Sequence, residues 1–256
     1  MSARYFLKLA YKGTRFSGWQ IQPESLTVQE CIQNALATIL QQRTPVTGCG
    51  RTDAGVHASC FFAHFDSNRH TLHGDSSFLY SLNSLLPADI AIYKILLVNQ
   101  NAHARFDAIS RNYIYKCSLR KDPFRTDTHL FLPAMPNLAA IHLATSILRD
   151  YEDFKCFSKT HTDVKHYLCN IQRVKWYYSK EDQELIFTIT ANRFLRNMVR
   201  AIVGTLLEIG QEKYKPEQMH AIIKSRNRQC AGGSAKPKGL YLNNITYPDN
   251  IFYKIV

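Results

Sequence analysis

The segment Gly48-Cys49-Gly50-Arg51-Thr52-Asp53-Ala54-Gly55-Val56-His57-Ala58 sets one acid, Asp53, and one cation, Arg51, among three glycines. Glycine tolerates positive φ and lets a second backbone or a ligand come close, so a charged pair framed this way belongs in a fixed, partly enclosed turn. The apolar residues on either side, 45–47 and 59–65, read as strands. Asp53 then falls on a connection between two strands, where sites commonly sit. An Asp beside Gly is ordinarily an Asx-turn residue that bonds its own backbone. A plain turn has no need of an Arg two residues before the acid and a His four residues after it, and those flanks mark the segment as a site.

The rest of the chain sets the context. Its 256 residues suit one large domain or two ordinary ones. A chain of that length buries roughly 70–75% of its unfolded surface and needs no disulfide or metal to fold. Lys and Arg number 32 against 20 Asp and Glu, a net charge of +12 that favours a polyanionic partner. The 14 Tyr and 14 Phe offer rings on which bases can stack, although most belong in a core. The seven cysteines are odd in number and form no C-x-x-C pair, which argues for reduced thiols rather than a disulfide framework or zinc ribbon. No signal peptide and no long apolar run is present, so a cytoplasmic protein without a membrane span is expected.

Working outward, residues 4–11 alternate as a strand with Tyr5, Leu7, Leu9 and Tyr11 on one face. The Gly-punctuated loop 12–20 follows, with Lys12 and Arg15 as candidate phosphate contacts. Thr27 and Glu30 form a Thr-x-x-Glu capping box ahead of a helix to about residue 42. His57, Cys60 and His64 have spacings that suggest metal, but a strand turns His57 away from the other two and the ligand set is incomplete, so no metal is expected. Residues 75–86 read as a helix stopped by Pro87, 90–98 as a strand, and 101–107 as a polar crossing.

A strand over 110–116 puts Arg111, Tyr113 and Tyr115 on one face. Residues 120–136 form a loop, and Asn137 caps a helix to about residue 150. The stretch 151–170 carries Lys155, Lys159, His161, Lys165 and His166, an exposed basic loop suited to nucleic acid. Two antiparallel strands are expected over 164–178 and 184–190. A helix over 193–210 would bring Arg196, Arg200 and Gly204 to one face, with close packing at the mid-helix glycine. A short helix over 216–224, a Gly-rich loop from 231 and a final strand complete the reading.

Five of these stretches resemble, in order, the motifs of the tRNA pseudouridine synthase A family. Arg51-Thr52-Asp53-Ala54-Gly55-Val56-His57-Ala58 is similar to its signature, and by that match Asp53 is the catalytic carboxylate. Residues 11–20 resemble its first motif, with Lys12 in place of the usual Asp. His103-Ala104-Arg105-Phe106 agrees. Arg-x-Tyr-x-Tyr at 111–115 resembles the element whose first Tyr contacts the target base, here Tyr113. Asn-Met-Val-Arg-x-Ile-Val-Gly at 197–204 resembles the element whose Arg, here Arg200, pairs with the catalytic Asp. The tail departs from the family's Ala-Gly-Pro-Thr-Ala-Pro at Gly233 and Ser234, then agrees at 239–242.

The resemblance implies an α+β fold of two α/β domains, 1–105 and 106–256, with mainly antiparallel sheets joined across a central catalytic cleft. It implies a homodimer acting on tRNA at uridines 38, 39 and 40 of the anticodon arm. The chemistry turns a uridine into its C-glycoside isomer, and a carboxylate serves either by adding to C6 of the base or by assisting at C1′. The target base must leave its stack. Arg51 and His57 would fill the vacated space or hold a phosphate, with Arg111 beside Tyr113 in the substrate-binding set. No redox step occurs, so no cofactor is expected. Two rivals share some of these features. A catalytically silent RNA-binding module leaves Asp53, Tyr113 and Arg200 unexplained, and an aspartic protease would be shorter and less basic.

Overall fold

The computed structural model describes residues 2–160 and 164–253. In chain order the elements are β1 (Ala3–Tyr11), α1 (Val28–Leu40), β2 (Thr47–Gly48), β3 (His57–Ser67), α2 (Ser76–Leu85), β4 (Ile90–Val98), β5 (Ser110–Ser118), β6 (Leu130–Phe131), α3 (Leu138–Ile147), β7 (Ile171–Ser179), β8 (Glu184–Ala191), α4 (Met198–Gly210), α5 (Gln218–Ser225) and β9 (Leu240–Thr246). They form two compact units, one of residues 1–109 with 241–256 and one of 110–240. Among the described residues no helix is long and apolar enough to cross a membrane.

In the first unit β1 lies between β3 and β4, antiparallel to both, and β2 pairs antiparallel with β3. The alternation that predicts β1 is real, but Phe6 on the opposite face is as fully buried as Tyr5 and Leu7. Its ring meets Tyr247 and Phe252 edge-on, so these two rings cover that face. The strand β9 runs parallel to β3, with Tyr241 opposite His57 and Leu242 opposite Ala58. Residues 241–256 therefore go with the first unit and not with the second, as a division into 1–105 and 106–256 would have it. Pairing to β3 outweighs proximity in sequence.

The helix α1 starts where Thr27 predicts, but no capping box forms. The Thr27 side chain makes no cap hydrogen bond, and its buried Oγ1 has no partner among the described residues. Other acceptors take the orphan amides of the first turn: Val28 N–H donates to Gly18 O at 3.3 Å and Gln29 N–H to Trp19 O at 3.0 Å. By contrast Asp75 caps α2 as expected, accepting from Phe78 N–H at 2.8 Å.

In the second unit β8 lies between β5 and β7, antiparallel to both, and β6 adds a short parallel partner to β5. Asn137 caps α3, accepting from Ala140 N–H at 3.1 Å. Nearly every residue of α4 is buried, as its all-round apolar pattern requires. Two expected boundaries move. The strand predicted from 164 begins at Ile171, because 164–170 turn aside to let Leu168 bridge to Asp153. The helix predicted from 193 begins at Met198, because Asn197 takes a left-handed φ of 67° that no helix continues through. Arg196 is thus off the helix and shares no face with Arg200 and Gly204. His161 of the basic stretch lies outside the described residues, and Lys155, Lys159 and Lys165 are exposed.

All seven cysteines are free thiols, and all but Cys31 and Cys230 are buried. Burial pushes the Cys156 thiol up to about 12 and that of Cys169 to about 11, which keeps both protonated and inert at neutral pH.

Two tests follow from this packing. Replacing Thr27 by Val should leave urea stability unchanged or raise it by about 1 kcal/mol, since the buried hydroxyl is unsatisfied; loss of a working cap would lower it by about 1 kcal/mol. His64, whose Nδ1 accepts from Ala104 N–H at 3.2 Å, is held down to about 4 from an ordinary 6.5 by burial first, then by Arg4 and His103. The unfolded chain takes up a proton there before the folded one does. The stability gained is complete above about pH 6.5 and lost as pH falls toward 4, on the order of 3 kcal/mol. Thermal melts across that window should show the decline, and His64→Gln should flatten it.

Candidate active site

In the first unit the Asp53 segment is held by the other glycine-bearing loop. Gly13 N–H donates to His57 Nδ1 at 2.9 Å. A Cβ on Gly13 would lie 1.9 Å from Val56 O, and one on Gly18 2.5 Å from Thr52 O, so both positions require glycine. Trp19 N–H donates to Thr52 O at 3.2 Å, and Gly55 N–H to Phe16 O at 3.2 Å. The Thr52 hydroxyl sits 2.8 Å from Tyr11 Oη. Beneath them Trp19, 2% exposed, stacks on Phe61 with ring centroids 4.1 Å apart. Inside this frame Asp53 O accepts Val56 N–H at 3.1 Å, closing a four-residue turn with Gly55 at φ 75°. That positive φ is the third-residue requirement of a type II turn. Asp53 is half-exposed and Arg51 exposed.

The other expected contacts of this unit divide. His57 is 1% exposed, with Nδ1 committed to Gly13 and its ring stacked on Tyr241 at 4.6 Å. It props the neighbouring loop from within. Arg15 is ion-paired, its Nε donating to Asp89 Oδ2 at 2.8 Å, so its charge is already met. Lys12 is exposed, and its backbone N–H donates to Asp89 O at 2.9 Å. Among the described residues no group of three or more His, Cys, Asp or Glu is placed to hold a metal.

In the second unit Tyr113 stands half-buried on β5, its ring edge-on to Phe194 at 5.0 Å and 85°. Two residues before it, Arg111 donates from Nη1 to Asn192 O at 2.9 Å. Tyr115, on the same face, is fully buried and donates to Lys236 O at 2.7 Å. Arg200 leaves α4 half-buried, and its Nε donates to Ala235 O at 2.8 Å while its own carbonyl accepts Ala235 N–H at 2.9 Å. A residue bonded at both ends to one loop residue keeps its side chain aligned with that loop.

A family model described as tRNA pseudouridine synthase matches residues 151–248. Proteins called tRNA pseudouridine synthase A are similar along nearly the whole chain. That of Parabacteroides distasonis is 48% identical over 250 residues, covering 97% of this chain and 98% of its own. That of Bacteroides fragilis is 48% identical with the same coverage, and that of Porphyromonas gingivalis 45% identical over 98% of this chain and 99% of its own. The chain belongs to the tRNA pseudouridine synthase A family.

The departure from the family pattern at Gly233 and Ser234 raises the question of what stiffens the 231–235 loop. Side chains do so from several directions. Arg228 donates to Gly232 O at 2.9 Å and to Ser234 Oγ at 2.9 Å. Asn197 donates to Ser234 Oγ at 2.7 Å, Gly232 N–H to Thr205 Oγ1 at 2.9 Å, and Gly233 N–H to Glu208 Oε1 at 3.1 Å. The close packing expected at Gly204 is against this loop, since a Cβ there would lie 1.7 Å from Gly233 O. Sequence reasoning found Gly204 and missed Arg228, Glu208 and Asn197. The one available signal was Asn197, of a residue type that tolerates the left-handed region, directly before the apolar run.

Gly204→Ala would raise helix propensity by about 1 kcal/mol in isolation. Here it should instead destabilise by about 1–3 kcal/mol, because the loop backbone has to move aside. Urea unfolding reads this directly.

Proposed function

We propose that this protein is a tRNA pseudouridine synthase that isomerises uridines at positions 38, 39 and 40 of the anticodon arm. The observation that carries the reading is the Asp53 turn, a half-exposed carboxylate on a backbone fixed by two interlocked glycine loops. A rigid acid at the surface of a strongly basic chain is what catalysis on a polyanion asks for. Family membership supplies the substrate class, from relatives whose names specify tRNA.

In this reading Asp53 of the first unit and Tyr113 and Arg200 of the second act on one extruded uridine, with the two units meeting across a catalytic cleft. Arg200 pairs with Asp53 and orients it. Asp53 attacks either C6 of the base or C1′ of the ribose. The N1–C1′ bond breaks, the base turns, a C5–C1′ bond forms, and the bond to Asp53 breaks to return the free carboxylate. The proton on C5 leaves and N1 ends protonated, so atoms and charge balance without a redox step. Tyr113 lies against the base and assists removal of the C5 proton. Arg51, Lys12 and Arg111 contact the RNA around the target. The enzyme works in the cytoplasm as a homodimer whose subunits grip one tRNA. The reaction calls for no cofactor.

Asp53→Asn should lower pseudouridine formation on an unmodified tRNA transcript by on the order of a thousandfold or more, while transcript binding stays within a few-fold of wild type. Nucleoside analysis of the anticodon arm and a binding isotherm decide it. A folded wild-type protein that leaves every uridine of that arm unchanged would overturn the assignment.

A further inference from the structure

A second feature of the 110–240 unit lies away from the face that carries Tyr113. Directly opposed residues of antiparallel strands share a face. Asn112 opposes Thr190, and Thr190 opposes Arg173; Thr188 opposes Lys175 on the same side. Asn112 and Tyr113 are adjacent on β5 and so point to opposite faces. With Arg149, from the turn after α3, these residues line a groove of roughly 550 Å³ with no acidic residue in its lining.

The chemistry of the groove is one-sided. Arg149, Arg173 and Lys175 are exposed, and their side chains form no ion pair or hydrogen bond with any described residue. On the floor, Asn112 Nδ2 donates to Thr188 Oγ1 at 3.0 Å and to Thr190 Oγ1 at 2.9 Å. A hydroxyl oxygen that accepts a hydrogen bond still has its own proton to give. The floor therefore offers two O–H donors beneath three unpaired cations, a set that suits anionic phosphate oxygens and rejects cationic ligands. A break in register between Ile171 and Arg173 bends the outermost strand here, and bulged edge strands re-aim their side chains.

We propose that this groove binds the phosphodiester backbone of the tRNA at a segment distinct from the one that presents the reacting base. The inference rests on tRNA being the substrate. Because the groove and Tyr113 are on opposite faces of β5, an RNA touching both has to pass around the unit, which a folded tRNA can do and a short hairpin cannot. The groove reads no sequence. It contributes affinity and orientation through phosphate contacts alone.

The test compares a groove variant, R149Q/R173Q/K175Q, with a control of equal charge change, K213Q/K215Q/K224Q. Binding of a full-length unmodified tRNA transcript is measured as a function of salt, together with light scattering and a thermal melt of each variant. Three lost phosphate contacts should make the slope of log K against log salt shallower by about two to three, and weaken binding by roughly tenfold or more at about 0.1 M salt. An anticodon stem-loop hairpin should bind both variants alike. Equal slopes for the groove and control variants would overturn the proposal, as would a loss of tRNA binding that tracks a change from dimer to monomer, which would make the face an interface between copies. Binding needs no turnover. A wild-type protein that binds the transcript but forms no pseudouridine would sink the functional reading and leave the groove test intact.

Discussion

The first unit depends on two backbones that approach more closely than any side chain would permit. Gly13 and Gly18 lie against the carbonyls of Val56 and Thr52, and four hydrogen bonds, two of them between main-chain groups and Trp19 or Gly55, tie the loops together. Neither loop would hold its shape alone, since each is short and rich in the residue with the most conformational freedom to lose. Locked to each other over the Trp19–Phe61 stack, they give Asp53 a fixed origin. A carboxylate positioned by backbone is less easily displaced than one positioned by long side chains.

The second unit solves the same problem differently. Its cation comes from a buried helix, and the loop that aligns Arg200 is held by side chains: Arg228, Asn197, Thr205 and Glu208 bond consecutive loop groups, and Gly204 lets the loop sit directly on the helix. The loop holds its shape by hydrogen bonds and not by the ring stiffness of prolines, which would restrict the unfolded chain as well as the folded one. Stiffness supplied by bonds is sensitive to loss of a single donor in a way that ring stiffness is not.

Much of this was legible in the amino-acid order, and the failures have physical causes. Strands and helices with clean periodicity, β1, α2, β4 and β5, fall close to where alternation and caps put them. The Thr27 capping box did not form because the carbonyls of Gly18 and Trp19 arrived from elsewhere in the chain, which no local pattern reports. The burial of His57 was not readable because it depends on Gly13 and Tyr241, one far earlier and one far later in sequence. The early end of α4 hinged on one left-handed residue. Asp53 stood out because glycine spacing is a local signal, whereas the clamp around Arg200 is assembled from residues without any common pattern.

The return of β9 to β3 has a consequence for how the protein is made. The 110–240 unit is a continuous stretch inserted between two pieces of the other, so its own residues are all synthesised before the first unit is complete. The first unit lacks its parallel partner strand until residues 241–246 emerge, and until then one edge of β3 next to the Asp53 turn stays open. An unpaired edge is a template for wrong association, and domains fold in order of synthesis where they can. In this chain the order is reversed in effect: the unit that starts first is completed last, and the carboxylate turn gains its full support only after the inserted unit has been synthesised.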